Sequence, residues 1–217
     1  MLYGEEGTWK TWLGLDLVWK LAGGEPWFFG LTTQSVPTLV LNTEIPKGHF
    51  QDRLQKMVTT RGKAPTNTWF VTDLDRKIDT LYGLNETITE IKDCGAQLLV
   101  LDDLYMAASG DLTKPQDWKR VQDGLNRMRS ETGCSFFIIH HARQPLTDMR
   151  GQSITQGTSE MFGMSYLKNW FNTMMEVRKD GNDSTLKISA QKHRLMSYKP
   201  PDMTLQIRRS DITFWLQ

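Results

Sequence analysis

Short apolar runs alternate with amphipathic segments along most of the chain. The clearest runs span residues 38–44, 96–103 and 134–141. They predict strands buried on both faces, because such strands carry few polar positions. The segments between them repeat apolar residues every three or four positions, as helices packed on a sheet do. We therefore expect an α/β fold with a mostly parallel central sheet flanked by helices.

The other predicted elements are shorter. MLYG and TWFVTD predict two strands, while WKTWLGLDLVWKLAGG, HFQDRLQKM, LNETITEIKDCG and QDWKRVQDGLNRMRSETG predict helices. Residues 142–160 form a polar, glycine-containing stretch that predicts a loop. Beyond it, TMMEVRKDGNDSTLKISAQKHR predicts an antiparallel hairpin that turns at residues 181–183. DMTLQIRR and ITFWLQ predict two closing strands.

Size and composition favour one domain over residues 1–217. The chain has 217 residues, 39% of them hydrophobic, which suffices for one compact core. Its formal net charge of +1 means that any nucleic-acid contact would have to be local. Two cysteines, Cys94 and Cys134, make no disulfide framework, so we expect reduced thiols. No leader or apolar run of membrane-spanning length is evident, and we expect a cytoplasmic protein without membrane contact.

The stretch YGEEGTWKT is similar to the phosphate-loop pattern G-x-x-x-x-G-K-[ST], except that Trp9 stands where the second glycine belongs. It lies between a predicted strand and a predicted helix, where backbone amides can surround a phosphate. A left-handed tryptophan would cost about 1–3 kcal/mol, so we expect a negative φ at Trp9 and an indole outside the phosphate cradle. A simple glycine-rich turn is the alternative. The predicted ATP contacts are Gly4, Glu5, Glu6, Gly7, Thr8, Trp9, Lys10, Thr11 and Trp12.

Three other buried strands end in groups suited to nucleotide hydrolysis. Asp102, followed by Asp103, could complete a Mg²⁺ site with Thr11. Glu44 could orient or deprotonate the attacking water. His140 is the predicted γ-phosphate sensor, with His141 as the alternative. Singly, these residues could be a cap, a solvated carboxylate and a sheet-edge histidine. Together they predict a ligand site at the carboxyl edge of the sheet.

The order of these motifs resembles the RecA-like P-loop ATPase core, especially the branch that holds RepA-type plasmid helicases, DnaB-type replicative helicases and related phage ATPases. The resemblance rests on YGEEGTWKTWLGLDL, LVLNTEIPKGHFQDRL, LLVLDDLYMAASGD, FFIIHHARQ, DMRGQS and LKISAQKHRLMSYKPPDMTLQI. It implies a RecA-like fold with a C-terminal antiparallel hairpin extension, and it implies ATP and Mg²⁺ as cofactors. The first strand looks clipped against this pattern.

The same resemblance assigns roles to three basic residues. QKHR matches the K-x-R segment of DnaB-type motors, which implies that Lys192 and Arg194 reach a neighbouring subunit's ATP. A basic strand end facing solvent is the alternative. Arg53 matches a family arginine near the nucleotide. No arginine follows RGQS as a RepA-type finger, so Arg194 is the predicted finger.

The implied function is an ATP-hydrolysing motor on single-stranded DNA, of the replicative-helicase or recombinase type, in a phage or plasmid. The chain would form a ring or filament, with a hexamer favoured. Two alternatives remain: a regulatory ATPase that acts on protein partners, and a degenerate scaffold that binds nucleotide without hydrolysis. Candidate DNA-facing residues, in MAASGDLTKPQDWKR and RQPLTDMRGQSITQ, are Lys114, Trp118, Lys119, Arg120, Arg143 and Arg150.

Overall fold

The computed structural model describes residues 1–27, 33–141, 164–194, 197–210 and 212–216. Its elements in chain order are β1 (Leu2–Gly4), α1 (Lys10–Gly23), β2 (Thr38–Asn42), α2 (Lys47–Arg61), β3 (Thr68–Thr72), α3 (Leu81–Cys94), β4 (Leu98–Asp102), α4 (Pro115–Thr132), β5 (Ser135–His141), α5 (Met164–Trp170), β6 (Thr173–Asp180), β7 (Asn182–His193), β8 (Met203–Arg208) and β9 (Thr213–Leu216).

The described strands form one sheet in the order β3-β2-β4-β5-β1-β6-β7-β8-β9. Neighbours from β3 to β6 pair in parallel. The strands from β6 to β9 pair antiparallel. The predicted α/β class, with a mostly parallel sheet and a C-terminal antiparallel extension, is confirmed.

Two hydrophobic layers cover the two faces of this sheet. Leu99 and Leu101 on β4 pack in the layer that contains α3 and α4. Val100, the residue between them, packs in the layer that contains α1 and α2. Successive strand side chains point to opposite faces, so strands buried on both sides need an unbroken apolar run. This requirement explains why residues 96–103 stood out in the sequence.

Helix α5 was not predicted, because its segment lacks a clear helical period. Helix α4 begins at Pro115, one residue before the predicted helix QDWKRVQDGLNRMRSETG, so the candidate DNA-facing residues Trp118, Lys119 and Arg120 are helical. None of the described helices is both long and apolar enough to cross a bilayer.

Candidate nucleotide site

The parallel strands deliver their carboxyl ends to one edge of the sheet. Gly4 at the end of β1 lies opposite His141 on β5, and Asn42 on β2 lies opposite Asp102 on β4. Helix α1 starts at this edge with Lys10. A cavity of about 320 Å³ opens there, and its lining residues are Glu6, Gly7, Thr8, Trp9, Lys10, Thr11, Trp12, Glu44, Ile45, Arg53 and His141.

The loop between β1 and α1 is held in shape by its own hydrogen bonds. The Glu5 carbonyl accepts from the Thr8 hydroxyl at 2.7 Å and from Lys10 Nζ at 2.6 Å. A Cβ at Gly4 would collide with the Val177 carbonyl on β6, so only glycine fits there. Burial lowers the pKa of Lys10 below its ordinary value. Nearby carboxylates oppose this lowering, and Glu44 has the largest effect among them. Lys10 lines the cavity, and among the described residues its ammonium group contacts the Glu5 carbonyl and the Thr8 hydroxyl, oxygens that a phosphate could replace.

The amino terminus of α1 is suited to an anion. No side chain caps it, and no acidic residue lies in its first turn. The first amide donors of a helix lack partners within the helix, and the helix dipole makes that end electropositive. A phosphate at this point would accept from those donors.

The prediction of a negative φ at Trp9 is wrong. Trp9 has φ 62° and ψ 17°, the left-handed conformation that the pattern normally reserves for glycine. The loop keeps a left-handed residue at this position, at a strain of about 1–3 kcal/mol. The indole packs 6.4 Å from the Trp12 ring and 5.7 Å from the Arg209 guanidinium, and these contacts offset part of that strain.

Asp102 and Thr11 are the residues that could hold Mg²⁺. Both Asp102 carboxylate oxygens are buried without a hydrogen bond of normal geometry. Burial raises the pKa of Asp102 to about 7, although the neighbouring Thr11 hydroxyl opposes this rise. An orphaned carboxylate beside a hydroxyl suits Mg²⁺, which combines few protein oxygens with phosphate and water ligands.

Glu44 faces the same cavity from the end of β2, and its position is set by a residue that the sequence analysis missed. The side-chain oxygen of Asn42 accepts hydrogen bonds from the backbone amides of Glu44 at 3.3 Å and Ile45 at 3.0 Å. Its amide nitrogen donates to the Ile45 carbonyl at 2.6 Å. Asn42 is fully buried, so this turn is rigidly anchored. An asparagine directly after an apolar run was the available signal, since such side chains bond to nearby backbone.

The histidine at the site is His141, not the predicted His140. His141 Nε2 lies 3.3 Å from Glu44 Oε1 and 3.2 Å from Asp103 Oδ2. His140 is fully buried at a position that points to the opposite face of the sheet. The structure therefore brings His141, and not His140, to the cavity. Asp103 also accepts from the Met106 amide at 2.8 Å, which fixes its carboxylate beside His141.

Arg53 on α2 lines the same cavity. Its guanidinium stands 5.3 Å from the centre of the Trp12 ring. Glu6 lines the cavity, whereas Glu5 contributes its carbonyl to Lys10 and Thr8.

Lys192 and Arg194 do not reach their own chain's site. Lys192 pairs with Met174 near the start of β6, whereas the phosphate loop follows Gly4, which pairs with Val177 further along β6. Lys192 Nζ donates to the Lys168 carbonyl. Arg194 is exposed and lines a groove of about 640 Å³ that α4 and α5 also border.

The candidate DNA-facing residues lie in different environments. Trp118 is only 3% exposed and packs against Trp170, so this candidate DNA-facing residue is buried in the interior. Lys119 and Arg120 lie on α4, paired with Asp123 and Asp117. Lys114 is exposed just before that helix. Arg143 and Arg150 lie outside the described residues.

Comparison with known proteins identifies the family. The model of a family described as an AAA domain matches residues 1–145. No curated protein matches the sequence. The fold is similar to that of a KaiC-like protein from the hyperthermophilic archaeon Pyrococcus horikoshii OT3, with a TM-score of 0.61 and 13% identity over 99% of this chain and 87% of that one. It is also similar to the RadB recombinase, with a TM-score of 0.60 and 18% identity over 97% of this chain and 87% of that one. The chain therefore belongs to the AAA domain family, and its core is that of a RecA-like P-loop ATPase.

Proposed function

We propose that the chain is a Mg²⁺-dependent ATPase that works as a motor domain on single-stranded DNA. The observation that carries the hydrolytic part is that Lys10, Thr11 and Glu44 line one cavity beside the amino terminus of α1, with the buried Asp102 next to Thr11. These four residues supply a phosphate cation, two oxygen ligands for a metal and a carboxylate for water.

Nucleotide binding would begin at the loop. The β- and γ-phosphates replace the Glu5 carbonyl as the partner of Lys10 Nζ and accept from the free amides at the start of α1. Thr11 and Asp102 would hold Mg²⁺, which neutralises charge on the phosphate oxygens when bound.

Glu44 is the residue that acts on water. Its pKa is lowered, chiefly by the hydrogen bond from His141, so the carboxylate is ionised at neutral pH. An ionised carboxylate at the cavity can orient a water molecule and accept its proton during attack on the γ-phosphate. His141 contacts Glu44 and is itself at the cavity, so it can exchange that contact for a γ-phosphate oxygen.

Self-association would complete the site. Lys192 and Arg194 lie away from their own phosphate loop, and an arginine that stabilises transition-state charge must contact the nucleotide. A ring or filament, with a hexamer favoured, would bring Arg194 of one copy to the ATP of the next. The RepA- and DnaB-type resemblance supports this arrangement.

The DNA-binding part rests on that resemblance and on the likeness to a protein named as a recombinase. The second candidate is a regulatory ATPase that acts on protein partners. It is favoured by the ion pairs of Lys119 and Arg120, which leave these cations partly neutralised.

ATP turnover measured with and without single-stranded DNA separates the two candidates. A motor on DNA should show several-fold stimulation that weakens as salt rises, because phosphate contacts release counterions. Lys10→Ala serves as the matched inactive control. Robust turnover that DNA leaves unchanged at low salt would favour the regulatory function, and absence of turnover would refute the ATPase itself.

A further inference from the structure

Two tryptophans line the cavity together with the phosphate-binding residues. Trp9 and Trp12 both line it, and their ring centroids lie 6.4 Å apart at an interplanar angle of 40°. Both rings are partly exposed, unlike the tryptophans in the interior, Trp19 and Trp118. Core packing alone therefore does not account for these two indoles.

An arginine lies over each of these rings. Arg53 on α2 is 5.3 Å from the Trp12 centroid and is itself part of the cavity lining. Arg209, just after β8, is 5.7 Å from the Trp9 centroid. Arginine stacked on an indole is favourable and restrains the ring. The two indoles are thus held at the cavity from two different elements of the fold.

The position of Trp9 adds an independent observation. Its left-handed backbone would suit glycine without strain, yet the chain carries the largest side chain there. Strained residues cluster at functional sites, where another contact compensates for the cost. An indole that projects from the phosphate loop itself lies within reach of whatever group is attached to the bound phosphates.

We infer that Trp9 and Trp12 form a stacking surface for the base of the bound nucleotide, which we call the indole platform. This inference rests on the proposed nucleotide site and adds what that site recognises beyond phosphate. The ligand class is a nucleotide with a stackable base, held through the face of its ring. Stacking of a base on an aromatic side chain contributes about 5- to 150-fold in affinity.

The experiment compares ADP with inorganic pyrophosphate, by calorimetric titration in the presence of Mg²⁺. Neither ligand is consumed, and they differ by the nucleoside and not by the two linked phosphates. The quantity of interest is the ratio of the two dissociation constants. Trp9→Gly removes one indole and leaves a residue that adopts the left-handed conformation freely. Trp12→Leu removes the other ring but keeps an apolar side chain, and Trp12→Phe keeps an aromatic face.

The matched control is Trp215→Ala. Trp215 is an exposed tryptophan that stacks with Arg208 at 5.4 Å, but it does not line the cavity. We expect Trp9→Gly and Trp12→Leu each to reduce the preference for ADP over pyrophosphate by at least about fivefold, with pyrophosphate affinity retained. Trp12→Phe should keep most of the preference, and Trp215→Ala should keep all of it.

The outcomes separate the indole platform from the phosphate site. An unchanged ratio in both Trp9→Gly and Trp12→Leu, with pyrophosphate still bound, would overturn the platform and leave the phosphate site intact. An equal loss in Trp215→Ala would also overturn it, because the effect would then not be local. If the wild type bound neither ligand, the nucleotide site would be refuted and the platform with it.

Discussion

His141 joins two carboxylates at the edge of the sheet: its Nε2 lies 3.3 Å from Glu44 Oε1 and 3.2 Å from Asp103 Oδ2. The hydrogen bond with Glu44 is the main reason why the pKa of His141 is raised above its ordinary value of 6.5. The same bond lowers the pKa of Glu44. A protonated His141 therefore pairs with the Glu44 carboxylate, the group that the attacking water must reach.

Turnover should rise with pH through the raised pKa of His141, that is, above pH 6.5. Below that pKa the imidazolium is paired with Glu44; above it the proton is lost and Glu44 can turn to water. His141→Gln cannot carry the charge and removes the contact that lowers the Glu44 pKa, so its acid limb should move down toward the ordinary Glu44 pKa of 4.5. The measurement is kcat against pH at saturating ATP and Mg²⁺. Superimposable acid limbs in the two proteins would contradict this role of the pair.

Glu44→Gln should separate binding from hydrolysis. Glutamine keeps the size of the side chain but cannot accept the proton of water. We expect ATP affinity within a few-fold of wild type and turnover lower by about 100-fold or more. Equilibrium titration and single-turnover kinetics measure the two quantities separately. Lost binding with normal turnover per bound ATP would assign Glu44 to binding instead.

The central parallel strands could be predicted from local patterns because β2, β4 and β5 are buried on both faces. The segments 38–44, 96–103 and 134–141 were predicted as strands for that reason. They contain β2, β4 and β5, respectively. Their carboxyl ends had to share an edge, so Glu44 and Asp102 could be assigned to one site before any distance was known.

Side-chain direction at the strand ends was harder to predict. His140 and His141 are adjacent, and a shift of one residue in the pleat exchanges their faces. Register with β1 decides the matter, since His141 pairs with Gly4 at the loop. The prediction for Trp9 was wrong for a different reason. The conformation that the loop requires outweighed the local free-energy cost of a left-handed tryptophan. Arg209 lies 200 positions after Trp9 in the chain, and local sequence patterns carry no signal for such a contact.

Asp102→Asn should stabilise the protein when nucleotide and Mg²⁺ are absent. Both carboxylate oxygens are buried without hydrogen bonds of normal geometry, which destabilises the folded state once the group is ionised. Removing that charge should raise the free energy of unfolding by about 1–3 kcal/mol at pH 8. Urea denaturation in EDTA measures this gain, and added Mg²⁺ with ADP should stabilise the variant less than wild type. A variant less stable than wild type in EDTA would show that the carboxylate has partners in the folded protein.

Lys10→Ala should abolish the effect of ATP on thermal stability. A ligand that binds only the folded state raises the melting temperature by mass action, and Lys10 Nζ is the buried cation at the cavity. Differential scanning fluorimetry with and without ATP and Mg²⁺ tests this. Lys20→Ala is a suitable control, because Lys20 lies on the same helix but pairs with Glu25 away from the cavity. Equal shifts in wild type and Lys10→Ala would rule out the phosphate loop.

Mixing two inactive variants tests whether Arg194 acts on a neighbour's ATP. Arg194→Ala should lower turnover by about 10³- to 10⁵-fold, the range known for such fingers. When Arg194→Ala and Lys10→Ala proteins are mixed, some interfaces combine an intact loop from one copy with an intact arginine from the other. Activity should return in those interfaces, because Arg194 lies at the strand end remote from its own loop. A mixture that stays inactive although labelled subunits exchange, or normal turnover by Arg194→Ala alone, would refute the shared site and favour an ATPase that works without a ring.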